Sequence, residues 1–375
     1  MTDSWEKLDQ RPPQSQWQLI RRRFLRHRLG VLGTSIVLLL SLMAIFADFL
    51  SPYHYAQEHR RLSYAPPTPI HFFDENGFTF HPFVYAYVRE RDPLTLQNVY
   101  REDRSQKHPI QLFARGDRYK FLGLVETDVH LFGLGTAAES NAHLFLFGAD
   151  QTWRDLLSRT LIGARVSMAI GPVSIVLSLV LGMLFGGLSG FYGGWIDMFI
   201  QRLIEVLQSF PGLPLFLALS AILPKEWSST MVFFGIVIIF SLLGWTGLAR
   251  ILRGQILALR EQEFVLAAKA MGTNNLRIIF KHLLPNTLTT LIVTATLGIP
   301  AAILGEAALS FLGLGIREPM SSWGLLLFDF LGATISNLVF HPWLLIPGFF
   351  IIVAVLAYNF MGDALRDAVD PFGIK

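Results

Sequence analysis

The chain contains no cysteine. That single absence removes disulfides, thiol nucleophiles and cysteine-based metal sites together. Charge is scarce as well: Asp, Glu, Lys and Arg make up 16% of the 375 residues, where a soluble domain carries about a quarter. No glycine-rich stretch ends in Gly-Lys-Ser or Gly-Lys-Thr, so the phosphate-cradling loop and lysine of a P-loop ATPase are missing. Neither a His-Glu-x-x-His pair nor a Gly-x-Ser-x-Gly elbow occurs, which leaves zinc-peptidase and serine-hydrolase chemistry without a carrier. The expectation is a non-catalytic chain that binds no cofactor or metal of its own.

What the chain has instead is apolar length. Hydrophobic residues make up 52% and the mean hydropathy is +0.45, values that place it in a membrane. Charge-free runs cover residues 29–47, 166–196, 206–224, 227–249, 283–305 and 343–362, each near or above the roughly 18 residues that span a bilayer. The prediction is an all-α membrane protein with about six transmembrane helices. Arg21, Arg22, Arg23, Arg26 and Arg28 precede the first run, and Asp48, Pro52 and His54 follow it without a small-residue cleavage site, so that run reads as a retained anchor. Trp5, Trp17 and Phe24 beside those arginines suit an interfacial helix.

The arginines place the N-terminus in the cytoplasm, and the next cationic cluster, Arg250, Arg253, Arg260, Lys269, Arg277 and Lys281, falls on the same side after four spans. The net charge of +3 and isoelectric point near 9.2 therefore report orientation; no nucleic-acid motif accompanies them. The expected layout is a cytoplasmic basic segment 1–28, a first helix 29–50, an extracytoplasmic insertion 51–160, a core 161–362 with a loop at 251–286, and a cytoplasmic tail 363–375. Within the insertion, aromatic and β-branched stretches at 78–87, 119–126 and 143–147, separated by Gly, Pro and Asp, predict a small β-rich module. Asp150 is the expected cap of the helix that follows, with Arg154, Asp155, Ser158 and Arg159 as caps and ion pairs at the membrane entrance.

Two places stand out for function. Residues 263–285 form a patterned loop between spans: Glu263, Leu266, Ala267, Ala268 and Gly272, then a helical continuation through Arg277 to Leu284 and Pro285. The alanines permit close approach by another surface, and the glycine permits a turn that a Cβ resists; the same small residues also suit ordinary helix packing. Glu306 interrupts the apolar stretch 283–316, and an acid there needs a partner or water. It is a candidate for the translocation pathway or gate, or for a structural role near the outer end of its span.

Residues 263–285 resemble the cytoplasmic coupling loop of binding-protein-dependent ABC importer permeases, whose pattern runs Glu-Ala-Ala, three residues, Gly, nine residues, Ile, one residue, Leu-Pro. Ala267, Ala268, Gly272, Leu284 and Pro285 match it; Leu266 and His282 replace the usual Glu and Ile, so no salt bridge carries over from that Glu. Gly148, Asp150, Arg154, Asp155, Ser158 and Arg159 resemble the entrance signature of peptide-importer permeases, with Ala149 and Trp153 departing from it. Glu306 to Gly315, with Pro319 and Ser322-Trp323-Gly324, and the stretch from Asn359 through Asp370-Pro371 resemble the C-type permease of dipeptide, oligopeptide and nickel importers.

The resemblance implies a type I ABC importer permease fold in a bacterial inner membrane. It also implies a second homologous permease, two ATP-binding subunits that hold ATP and magnesium, and an extracytoplasmic solute-binding protein. Two other classes compete. An ion-gradient-coupled secondary transporter would need paired intramembrane acids or histidines, of which the spans offer little beyond Glu306. A membrane-anchored receptor would leave five of the six spans unexplained.

Overall fold

The computed structural model describes residues 15–59, 62–74, 77–91, 93, 98–135, 142–331 and 340–369. Trp5 and the Asp370-Pro371 end of the C-terminal pattern lie outside them. Helix α1 (Gln16–Arg26) starts at a capping box, Ser15 Oγ accepting from the Gln18 amide and Gln18 Oε1 from the Ser15 amide. The first membrane helix, α2 (Arg28–Ile45), continues almost unbroken into α3 (Ala47–Leu50) through i to i−4 bonds at Phe46, Leu50 and Ser51. One face of α2 is buried through Gly30, Gly33, Leu40 and Ala44. Leu38, Leu39, Leu42 and Ile45, each about half exposed, form the opposite face, an apolar surface suited to lipid.

The insertion is β-rich. Strands β1 (His71–Asp74), β2 (Gly77–Arg91) and β3 (Asn98–Pro109) form an antiparallel sheet, β4 (Gln111–Leu112) pairs with β7 (Phe132–Gly133), and β5 (Arg115–Phe121) with β6 (Val125–Val129). Two expectations change here. Residues 119–126 are the end of one strand, a turn and the start of the next, and 143–147 form no strand but fill a core in which Phe145 packs with Leu62, Ala65 and Ala149. The module is tied to the first membrane helix: the Leu131 amide donates to Phe49 O at 2.7 Å, and the His130 ring contacts Ser51 O at 2.5 Å and Asp117 O at 2.9 Å.

The chain re-enters the membrane at α4 (Leu156–Tyr192), capped by Asp155, whose Oδ2 accepts from both the amide and hydroxyl of Ser158. Asp150, the expected cap, lies five residues earlier and instead pairs with the buried Arg159 and with Arg154. After α4 come α5 (Gly194–Gln208) and α6 (Gly212–Ala221), which meet at an 86° bend. The charge-free run 206–224 falls on this bent pair, and the break lies at Ser209-Phe210-Pro211, because Pro211 has no amide to continue the ladder. Then follow α7 (Ser229–Leu259), α8 (Glu263–Ala270), α9 (Asn275–Arg277), a π-helical turn (Ile278–Leu283) and α10 (Leu284–Phe311). The short α11 (Trp323–Leu331) and α12 (Ile346–Val369) complete the bundle.

Among the described residues five helices, or six if the bent pair counts as one, are long and apolar enough to cross a membrane. Contacts fix their directions. The starts of α4 and α7 both approach Glu318, while their ends meet where Gly190 abuts Arg253 and Ile256, so α4 and α7 run parallel and the bent pair must return the chain between them. The insertion and residues 312–322 share one end of the bundle. Helix α1, residues 253–285 and the end of α12, where Ala364 meets Gly30, share the other.

Helices α4 and α7 cross closely along Gly182, Gly186 and Gly190. A Cβ on Gly186 would sit 2.6 Å from Ala249 O and 2.9 Å from its Cα, both backbone. Because lipid supplies no hydrophobic drive for helix association, contacts of this closeness carry it. Gly186→Val should cost about 3 kcal/mol or more through overpacking, read as a lower midpoint of thermal unfolding in detergent. Gly254→Ala, whose Cβ meets open space, should leave that midpoint unchanged or raise it.

Candidate coupling segment and transmembrane cavity

Helix α7 ends at Leu259, and the chain turns through Arg260-Glu261-Gln262 into α8. The eight residues of α8 stop at a Schellman motif: the Thr273 amide donates to Ala268 O at 3.1 Å and the Gly272 amide to Lys269 O at 2.9 Å. Gly272 has φ +73° and open space around its Cβ position. The requirement for glycine here is thus conformational rather than steric crowding. Asn274 restarts the helix by accepting from the Leu276 amide at 3.0 Å. The π-helical turn then leads into Pro285, which sits in the first turn of α10, where its missing amide costs least.

The sequence-selected residues divide between two faces. Val265 and Ala268 are buried with Phe191, Ile278, Ile279 and Leu283, and Leu284 lies in the same cluster. Glu263, Leu266, Ala267, Gly272, Arg277 and Pro285 face outward. The two alanines read together as an approach surface therefore part company: Ala267 is on the exposed side and Ala268 is core. Beside the outward set lie Phe264, Leu266 and Met271, all exposed apolar side chains, Met271 by 78%. The Lys269 ammonium rests 5.1 Å from the centre of the Phe191 ring, within cation–π distance.

A polar staple fixes this segment to the rest of the bundle. Arg253 on α7 grips Asp197 on α5 through two bonds, Nε to Oδ1 at 2.5 Å and Nη2 to Oδ2 at 2.6 Å, and Ser189 Oγ donates to the same carboxylate. The planar fork of arginine matches a carboxylate in this way and lysine does not. Arg260 Nη1 lies 3.3 Å from Gly190 O and 3.4 Å from Phe191 O, answering free carbonyls at the end of α4. Sequence reasoning assigned Arg253 and Arg260 to orientation alone and passed over Asp197. The available signal was an acid directly after the charge-free run 166–196, on the side of the bundle crowded with cations.

At the opposite end of α10, about 33 Å of helix rise away, Glu306 is fully buried. Its Oε1 accepts from Ser310 Oγ at 2.7 Å; Oε2 makes no hydrogen bond, although the Ser322 and Ser167 hydroxyls face the same carboxyl. Those hydroxyls also serve the backbone: Ser310 accepts from the Ile316 amide, Ser167 from Trp323 and Ser322 from Leu325. The sequence pattern around Glu306 and Ser322-Trp323-Gly324 is thus one folded knot, closed where Gly324 packs against the Ala307 backbone. Nearby, Arg154 and Arg159 converge on Glu318, and the hydrogen bond from Arg154 holds that carboxyl below the usual carboxylate range.

A cavity of about 340 Å³ lies between α4, α6, α7 and α10, bounded by Ser174, Ser178, Phe216, Phe240, Gly244 and Thr294 among others. Its wall is mainly apolar with a few hydroxyls. Glu306 is not part of that wall, and neither is the 263–285 segment, although α7 and α10 join all three places.

A bundle of apolar helices with a broken member, a cavity among them and an outward helical loop at one end suits a membrane permease. The chain belongs to the family of binding-protein-dependent transport system inner membrane components, which matches residues 163–372. Residues 15–67 match the N-terminal transmembrane domain of oligopeptide transport permease C. The chain is similar to the oligopeptide transport system permease protein OppC of Escherichia coli K12, at 45% identity over 60% of this chain and 72% of that one. It is likewise similar to OppC of Bacillus subtilis, at 40% over 60% and 71%. The dipeptide transport system permease protein DppC of Alkalihalophilus pseudofirmus is 42% identical over 60% and 71%. A solved structure of the MetNI methionine ABC transporter in inward-facing conformations is similar at TM-score 0.43 and 18% identity, covering 56% of this chain and 96% of that one. That likeness is too distant to carry an argument.

Glu306→Gln keeps an acceptor for Ser310 and should leave folding and assembly intact. Glu306→Leu removes the acceptor from a buried hydroxyl and should cost about 1–3 kcal/mol, seen as a lower unfolding midpoint. A loss of transport in Glu306→Gln at unchanged midpoint would move this residue from scaffold to pathway.

Proposed function

We propose that this chain is one of two permease subunits of an ATP-driven importer for peptides or peptide-like solutes. In this reading a second, homologous permease completes the pathway, an extracytoplasmic binding protein delivers the solute, and two ATP-binding subunits hold ATP and magnesium. The substrate class follows the names of the oligopeptide and dipeptide permeases to which the chain is similar. Both termini and residues 253–285 lie on the cytoplasmic side, where the arginines of α1 and the cations of the second cluster belong.

The observation that carries the coupling role is the outward surface of α8. Phe264, Leu266 and Met271 are exposed on a helix whose other side is core, and an apolar helix face of this kind fits a groove on another protein. Glu263 begins that helix and Arg277 flanks its far side. Movement imposed on α8 passes to α7 and α10, because α8 shares their core and the Asp197–Arg253 staple ties α7 to the start of α5. Those helices wall the 340 Å³ cavity, so a push at one end changes the shape of the space at the other. A protein in two alternating states moves a polar solute across roughly 30 Å of hydrocarbon without an open hole.

Gly272→Val forces a β-branched residue into the left-handed region and disrupts the stop of α8. In the purified complex, stimulation of ATP hydrolysis by loaded binding protein should fall at least about tenfold, a coupling loss near 1.4 kcal/mol, with membrane insertion unchanged. Gly272→Asn, which tolerates that backbone conformation, should retain most of the stimulation. Uptake that persists without ATP and follows a proton or sodium gradient would replace this reading with a secondary carrier.

A further inference from the structure

We propose that the β5–β6 hairpin is a second membrane anchor, with its tip seated in the bilayer leaflet on the insertion side, next to the end of the first membrane helix. The tip reads Phe121-Leu122-Gly123-Leu124-Val125. A turn that projects into water normally carries Asn, Asp or Gly, above all where φ is positive. Here Leu122 takes φ +50° and Gly123 φ +74°, and Leu122, Leu124 and Val125 are 50%, 84% and 63% exposed. Single exposed apolar residues are ordinary; a contiguous apolar turn is not.

Continuity says what covers it. On α2 and α3 the apolar face of Leu38, Leu42 and Ile45 is prolonged at helical spacing by Phe46 and Phe49. The hairpin docks on that prolongation: Phe121 lies 5.9 Å from Phe46 and 6.5 Å from Phe49, ring centre to ring centre. Phe113, from the preceding loop, lies 6.3 Å from Phe49. The exposed turn therefore extends the same surface that meets lipid along the span. Charge sets its depth. Lys120 and Glu126 face each other across the strands directly behind the tip, and Arg118 is exposed one step further back. Apolar residues below and charged residues above describe an element at the headgroup boundary. Anchored at two points, the insertion keeps a fixed height over the bundle.

The cysteine-free chain permits a direct test. A nitroxide at Leu124→Cys, in the full-length protein with its co-purifying subunits in liposomes, is exposed to oxygen, which concentrates in hydrocarbon, and to a water-soluble nickel chelate, which does not. Leu38→Cys on the lipid face and Arg101→Cys on the polar sheet serve as references. The expected oxygen-to-nickel collision ratio at 124 sides with position 38. A ratio like that at 101 would place the tip in water, and low collision with both reagents would place it against another protein chain; either overturns the anchor. Val125→Cys repeats the measurement should a label at 124 disturb the turn.

Discussion

Two apolar helices surrounded by hydrocarbon gain nothing from hiding their side chains from each other. Close backbone approach must hold them together, and in this protein it does so most plainly where Gly182, Gly186 and Gly190 of α4 meet Trp245, Ala249 and Arg253 of α7. This crossing sets two long parallel helices in register, with their starts against residues 312–322 and their ends against α8. The cavity opens beside that crossing, where Ser178 lies against Gly244 and the wall passes from α7 to α10.

Polar groups then fix the two ends of the glycine-packed pair, and they do so differently. At the insertion end, Asp150, Arg154, Arg159 and Glu318 tie the start of α4 to the loop after α10, while Glu306 and its serines fold that loop back on itself. The buried Arg159 is shared between Asp150 and Glu318, and taking a partner from a buried charge is costly, so this end is built to stay. At the other end the Asp197–Arg253 clamp is partly exposed and joins the start of α5 to α7. Beyond it lies a small helix with apolar residues facing outward. One end is locked by buried ion pairs, and the other presents an exposed helix.

Much of this was legible in the sequence because hydrocarbon imposes a simple code. Charge-free length located α2, α4, α7, α10 and α12. The same code fell short of the 86° bend inside residues 206–224, since hydropathy counts apolar residues and Pro211 and Pro214 show only that the chain can bend there. Sequence reading failed at 119–126, where an apolar turn looked like continued strand because Leu122 and Leu124 stand where polar turn residues are usual. Asp150 resembled a cap by position, but Asp155 holds that place and Asp150 is spent on Arg159, a contact that sequence spacing alone does not reveal. In the 263–285 segment the glycine stop was readable from Gly272; which alanine faces outward was not, because that depends on how α8 rotates against Phe191 and the π-helical turn.

In the proposed importer, α8 is the point where another subunit pushes. A photoreactive cross-linker on Met271→Cys, the most exposed apolar position of the turn, can be activated in the intact complex, because the chain has no other thiol. The expected result is one dominant product joining this chain to an ATP-binding subunit, with a yield that changes when ATP is added. Cross-linking only to lipid, or to the second permease alone with no response to ATP, would contradict that role for α8.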